Sequence, residues 1–418
     1  MPVTARARAH QRFLTIAGRN IDRFCEEKLA RISVEDQSPT GEWISMEGRK
    51  VLNFGSCAYL GLNVDPRLKE GAIEAIERFG PVYSSSTVYT SVDLYGALEE
   101  RLTAIFDAPV AIPATTTLGH LSALPVLVGL DDLVIVDLQA HASVQMATQV
   151  LRAEDVAVEL IRHNDINALA ARLEEVGDRY ERVWYLADGL YSMYGDAAPV
   201  LEIRALLDTY PNLWVYYDDA HGVGWCGRNG RGWVLNETDH HERVVISASL
   251  AKSFGAGGAV LVLPDAATKR RLEHTGGTFI FSGPVHPAEL GAAVASADIH
   301  LSAEHAERQA RLNDQIALVQ RGLVERQLPT MSLEKTPIWF LKIGSLDGAI
   351  ELTRRMLDDG FYVNPAPFPA VPVGYEGVRF TQTLYHSDHD LEDLLDAFAR
   401  HVPDLVDDNQ GVVDLRNA

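Results

Sequence analysis

Three cysteines in 418 residues, Cys25, Cys57 and Cys226, are too few and too widely spaced for a disulfide framework or a zinc cluster. A reducing compartment, the cytoplasm, is the expected setting. Positive charge is also short, with Lys+Arg 37 against Asp+Glu 58 and a formal net charge of -21. So acidic a surface repels phosphate backbones and anionic lipid, which argues against nucleic acid and membranes as partners. No apolar run reaches the roughly 18 residues of a membrane span. The basic N-terminus "MPVTARARAHQRFL" is followed by no apolar stretch of a targeting signal. Internal repeats and low-complexity tracts are missing too, apart from "SSST" and "TTT".

What is present is a hydrophobic fraction of 47%, enough for a large core and more than one domain. Residues 1–50 read as an amphipathic helical arm and a polar, turn-rich stretch. Beyond them "DLVIVD" (132–137), "RVWYLAD" (182–188), "NLWVYYDD" (212–219), "RVVISAS" (243–249) and "GAVLVL" (258–263) are almost continuously apolar, the pattern of buried strands in a largely parallel sheet. Helical segments alternate with them, such as "DINALAARLEEV" with its Asp N-cap. The expectation is an α/β domain over 51–295 with ligands at the carboxyl ends of its strands. A long charged helix from about 300 then opens a smaller α+β domain over 296–418.

Two strand ends carry chemistry. "YYDDAHGVG" places Asp218, Asp219 and His221 at one, and "SASLAKSF" places Lys252 just past the next, among small residues that leave room for a flat ligand. Taken singly, the acids read as a capped turn and the lysine as a loop charge. Asp-x-x-His by itself also lacks further metal ligands. Together, an acid and a lysine at neighbouring strand ends are what pyridoxal 5'-phosphate needs, a carboxylate to keep its ring nitrogen protonated and an amine to hold its aldehyde.

From about residue 50 to 400 the chain resembles the α-oxoamine synthases, pyridoxal-phosphate acyltransferases that condense an amino acid with an acyl thioester. The resemblance rests on "LNFGSCAYLGL", "HND" (163–165), "DGLYSMYGDAAPV", "DDAHGVG", "SLAKSFGAGGA" and "VRFTQTLYHSD". It implies a fold-type I, aspartate-aminotransferase-like transferase, with a mainly parallel seven-stranded sheet in the large domain. Lys252 would bind the cofactor's aldehyde and move the α-proton, Asp218 would pair with the ring nitrogen, His221 with the phenolic oxygen, and His141 would stack on the ring. Asp188 and Ser192 would complete the ring's surroundings. Phosphate donors would be Ser249, the threonines Thr115, Thr116 and Thr117, and Phe281 and Ser282 lent by a second subunit, which makes the protein a homodimer with shared sites. Cys57, Tyr59 and Arg379 would meet the substrate, Arg379 gripping its carboxylate. No metal is implied.

Departures from the family pattern gather at the substrate edge. Cys57 and Ala58 stand where asparagine is usual, Tyr95 replaces a histidine, Thr90 replaces glycine, and the threonine run replaces a glycine-aromatic loop. They imply an amino acid other than glycine, or a donor other than acetyl-CoA, on CoA or on a carrier protein. The basic stretch "TKRRLEH" (268–274) is the one sequence-level candidate for carrier docking and reads more readily as a solvated helix face. The alternatives are an aminotransferase or aldolase on the same fold, and a non-catalytic subunit, against which the lysine itself argues.

Overall fold

The computed structural model describes residues 3–406, so the end of the expected second domain, 407–418, lies outside the described residues. The chain divides into two compact units, one of residues 58–192 and 197–310, the other of 1–57, 193–196 and 311–418.

The 58–192 and 197–310 unit is built on a seven-stranded sheet. Its order is Val110–Ala111, Ala259–Val262, Val244–Ser249, Leu213–Asp218, Val183–Asp188, Leu133–Asp137, Ala157–Ile161. All neighbours are parallel except Ala259–Val262, which runs antiparallel to both of its own. The apolar runs become central strands because both faces are covered, and alternate residues go to opposite sides. Ile135, Tyr185, Val215, Tyr217 and Ile246 pack on one side beneath the helices Leu94–Phe106, Ile166–Val176, Val200–Thr209 and Pro287–His300. Val134, Val136, Trp184, Tyr216 and Val245 pack on the other beneath Thr116–Leu127 and Ala142–Ala153. Local signals agree with this: the Asp165 side chain accepts from Ala168 N at 2.9 Å to start the Ile166–Val176 helix, and Gly177, at φ 51°, ends it.

The second unit holds the helix Val3–Glu26, a four-stranded sheet of Val34–Gln37, Trp43–Met46, Arg49–Asn53 and Phe361–Tyr362, and a three-stranded sheet of Ile338–Lys342, Gly377–Thr381 and Asn364–Ala366. The stretch expected to be turns therefore contains a β-meander. Its strands are only four or five residues long, and Arg49–Asn53 opens on two exposed charges before its two buried residues instead of alternating. The tetrapeptide 193–196 belongs here as well. Gly195, at φ 71°, lies so near Ile338 that a Cβ would sit 2.2 Å from its carbonyl oxygen, and only glycine fits.

At the amino-terminal edge of the large sheet, Asp132 is buried and accepts from Gly129 N, Arg182 N and Trp184 Nε1 at 2.7, 3.1 and 3.0 Å, with Arg182 Nη2 also 3.0 Å away. Asp132→Ala orphans these donors. It is expected to lower unfolding free energy by about 3 kcal/mol in urea titration, while leaving the chemistry at the opposite sheet edge intact.

Candidate active site

Register sets the site. Asp188 and Asp218 face each other as partners at the carboxyl ends of adjacent parallel strands, and Asp218 pairs onward with Ser247 in the next. Both acids are buried. Two carboxylates this close cannot both be charged cheaply, and the surroundings divide them.

Asp218 is the charged one. Burial pushes its carboxyl up, but a hydrogen bond from His120 and electrostatic attraction to His120, Lys252 and His141 outweigh that and hold it at about 2. His120 Nε2 lies 3.1 Å from Asp218 Oδ2, and Ala220 N donates to Oδ1 at 3.1 Å. An ionised carboxylate only accepts, so Nε2 carries the proton, and Nδ1 is left to the Tyr216 hydroxyl at 2.8 Å. Tyr216 and Asp218 are two residues apart on one strand and so point to the same face, where the fully buried His120 of the Thr116–Leu127 helix reaches both.

Asp188 takes the other role. Burial, and then the negative charge of Asp218, raise its carboxyl well above the usual range, although His141 N donates to it at 2.9 Å. Asp219 follows the same logic. Burial, aided by the charge of Asp218, raises it to about 8 against backbone donors that include Val234 N at 3.1 Å. It fits only because its neighbours are glycines, a Cβ at Gly222 or Gly232 falling 2.2 or 2.3 Å from its oxygens.

Lys252 follows the Val244–Ser249 strand and is half-buried, and its amine makes no hydrogen bond or ion pair among the described residues. Its charge is felt by Asp218, Asp188 and His141 together, which puts it in their cluster. Ser249 closes the strand and accepts from Ala251 N at 3.1 Å. His141 caps the Ala142–Ala153 helix, its Nδ1 accepting from Ser143 N at 3.3 Å and lying 2.6 Å from Ser143 Oγ, and desolvation keeps its ring below the usual histidine range. The His221 Nδ1 bonds the Tyr59 hydroxyl at 2.7 Å, both residues being buried.

Thr115 caps the Thr116–Leu127 helix by accepting from Leu118 N at 3.2 Å, so Thr116 and Thr117 occupy its first turn, where N–H groups lack helical partners and suit an anion. Ser192 follows the strand that ends in Asp188, at the limit of this unit. Phe281 and Ser282 end the short Gly277–Phe281 helix, and Phe281 is 88% exposed, with no bond to the cluster. Cys57 and Arg379 belong to the second unit, where Arg379 Nη2 lies 3.6 Å from Cys57 Sγ and Arg379 is buried in the Gly377–Thr381 strand. Tyr95 and Thr90 have local partners: Val285 N donates to the Tyr95 hydroxyl at 2.8 Å, and Thr90 donates to Ser85 at 2.9 Å. The residue that sequence reasoning missed is His120. Among the described residues no group of three or more His, Cys, Asp or Glu is placed to hold a metal ion, and no helix is long and apolar enough to cross a membrane.

The model of the family "aminotransferase class I and II" matches residues 49–398. An 8-amino-7-oxononanoate synthase of Symbiobacterium thermophilum is 34% identical over 376 residues, covering 89% of this chain and 93% of that protein. A serine palmitoyltransferase of Bacteriovorax stolpii is 30% identical over 359 residues, covering 85% and 83%. Among solved structures, Sphingomonas wittichii serine palmitoyltransferase superposes with a TM-score of 0.85 at 24% identity, over 94% of this chain and 98% of that one.

Two outcomes test the electrostatics. His120→Leu leaves Asp218 without its side-chain donor, and the cofactor-free protein should lose about 3 kcal/mol in urea unfolding at pH 7, with part restored by the amide donor of His120→Asn. For Asp219 the sign is opposite. Its folded carboxyl lies near 8 against 3.8 unfolded, so the neutral form's contribution is whole below pH 4 and fades as pH rises toward 8. Stability should fall over that window by up to ~1.4 kcal/mol per pH unit, and Asp219→Asn should flatten the decline.

Proposed function

The chain belongs to the class I and II aminotransferase family, and on that premise we propose that it is a pyridoxal 5'-phosphate-dependent acyltransferase of the α-oxoamine synthase type. The reaction joins the α-carbon of an amino acid to the acyl carbon of a thioester, releasing free thiol and, where the carboxylate is lost, carbon dioxide. One observation carries the reading: a buried carboxylate held ionised by His120 shares a cluster with a lysine amine that has no partner of its own.

The residues present suit the cofactor. When bound, its protonated ring draws electrons from the α-carbon of an attached amino acid. Asp218, charged and acceptor-only, suits the ring nitrogen, and Lys252 is the amine for the aldehyde. His141, fixed by Ser143, would lie on the ring, and His221, oriented by Tyr59, would donate to the phenolic oxygen. Asp188, kept neutral, leaves Asp218 the sole carboxylate charge between them. The first turn at Thr116 and Thr117, with the hydroxyls of Thr115 and Ser249, offers donors for a phosphate. Lys252, freed once substrate takes its place, is the base that moves the α-proton.

Arg379 is the fork for the substrate carboxylate, and the thiol of Cys57 is among the groups near it, 3.6 Å from Nη2. Cys57 supports an amino acid other than glycine or a donor other than acetyl-CoA, and the relatives named above, differing among themselves, leave that choice to this chain's own residues. The working form is a cytoplasmic homodimer, supported by three cysteines that form no disulfide and by the exposed Phe281 beside Ser282.

The test is a panel of amino acids against acyl-CoA and acyl-carrier thioesters, reading product mass, free thiol and carbon dioxide together. A new carbon-carbon bond with one thiol released per product is expected. Amino transfer to a keto acid without a thioester would instead make it an aminotransferase. Lys252→Ala should lose the cofactor's visible absorbance and more than ~1000-fold in turnover.

A further inference from the structure

The charges of this protein are unevenly placed. Against a net charge of -21, the first 21 residues contain no acid and carry Arg6, Arg8, Arg12 and Arg19. They lie in the helix Val3–Glu26. At about 100° per residue, Arg8, Arg12, Arg19 and Arg23 fall within an arc of roughly 60°, a stripe about 22 Å long. All four are exposed. Arg23 pairs with Asp347, but Arg8, Arg12 and Arg19 make no ion pair or side-chain hydrogen bond among the described residues.

The helix spends a different face on its own unit. Phe24 is buried in a cluster with Leu29 and Ile350, Asn20 Nδ2 donates to Phe368 O at 2.9 Å, and Phe13 meets the Phe368 ring edge-on at 5.4 Å. Those three residues centre roughly 110° around the axis from the arginines. Phe24 is committed to protein, while Phe13, Leu14 and Ile21 stay exposed on the same helix, so a lipid surface, which needs such an apolar face, is the competing occupant that the vesicle arm below decides. A convex helix surface offers no concavity for a small anion such as free CoA. The negative field of the whole protein acts on every acidic partner alike, so attraction is confined to the stripe itself. The thioester reading of the active site favours a folded acidic surface of similar length, met by charge complementarity.

We propose that this stripe is the docking site for a small acidic carrier protein that brings the acyl group as its thioester. The proposal rests on the thioester reading of the active site. It also places docking away from "TKRRLEH", whose Lys269 is already held by Glu99 and Glu273 at 3.1 and 2.9 Å.

The experiment uses the full-length, cofactor-loaded protein and a fluorescently labelled holo-acyl carrier protein, with binding followed by anisotropy. The triple variant Arg8→Glu, Arg12→Glu, Arg19→Glu should bind roughly 30-fold more weakly, and wild-type binding should weaken steeply with salt. Turnover with hexanoyl-CoA should stay within twofold, and the triple Arg→Gln variant, checked by circular dichroism, should show an intermediate loss. Wild-type protein that fails to bind the carrier, or a charge-reversed variant that binds within threefold of it, overturns the proposal. Arginine-dependent binding to phosphatidylglycerol vesicles without carrier binding also overturns it, in favour of a lipid surface. Arginine-dependent carrier binding with no product from any thioester keeps the docking site and removes the acyl-transfer reading instead.

Discussion

A carboxylate without water around it stays charged only if donors and positive charge replace the solvent, and Asp218 has its side-chain donor in His120, a backbone donor in Ala220 and the charge of Lys252 in the same cluster. The rest of the site can be ordered from that constraint. Once Asp218 holds the negative charge, Asp188 opposite it and Asp219 beside it are driven toward their neutral forms, because three charged carboxyls in one dry region would repel one another. Asp219 then has Val234 N as the donor to its Oδ2 at 3.1 Å, and the room for its carboxyl is what Gly222 and Gly232 allow. The glycine-rich run after the strand is thus room for an acid.

Much of this was legible in the sequence and some was not, for identifiable reasons. Five apolar runs became the central strands because burial on both faces demands continuous hydrophobicity, which is visible in a string of letters. Lys252 and Asp218 were legible as a pair because each directly follows or ends such a run. His120 was not. It sits on a covering helix, "TTLGHLSALPVL", with apolar residues on every side and no charge, so no amphipathic stripe marks an inward face, and its partner is 98 residues away. The available signal was the i, i+2 pair of Tyr216 and Asp218, two polar groups on one buried face that need a polar residue from the layer above.

The meander over 34–53 escaped because its strands are short and mixed, and its fourth strand, Phe361–Tyr362, comes from far along the chain. Long-range pairing of this kind leaves no local trace. The segment 193–196 is a similar case. In the sequence it continues a motif begun at Asp188, yet Thr336 Oγ1 donates to Gly195 O at 3.0 Å and the Tyr194 ring packs edge-on to Phe340 at 5.0 Å. One run of letters therefore serves two units, and the φ of Gly195 is the local sign of the crossing.

Net charge alone suggested a protein with little to offer an acidic partner, but net charge is a sum and docking is local. Screening confines each charge to about 10 Å at ordinary ionic strength, so an arginine stripe longer than that distance presents its own field to whatever lies against it. The same acidic bulk that discourages nucleic acid and lipid then sharpens selection, because an acidic partner that strays from the stripe meets repulsion instead of attraction. In the active site the scale is shorter and the dielectric lower, yet the arrangement is alike. One charge, placed where its neighbours can satisfy it, helps to raise the carboxyls on either side of it.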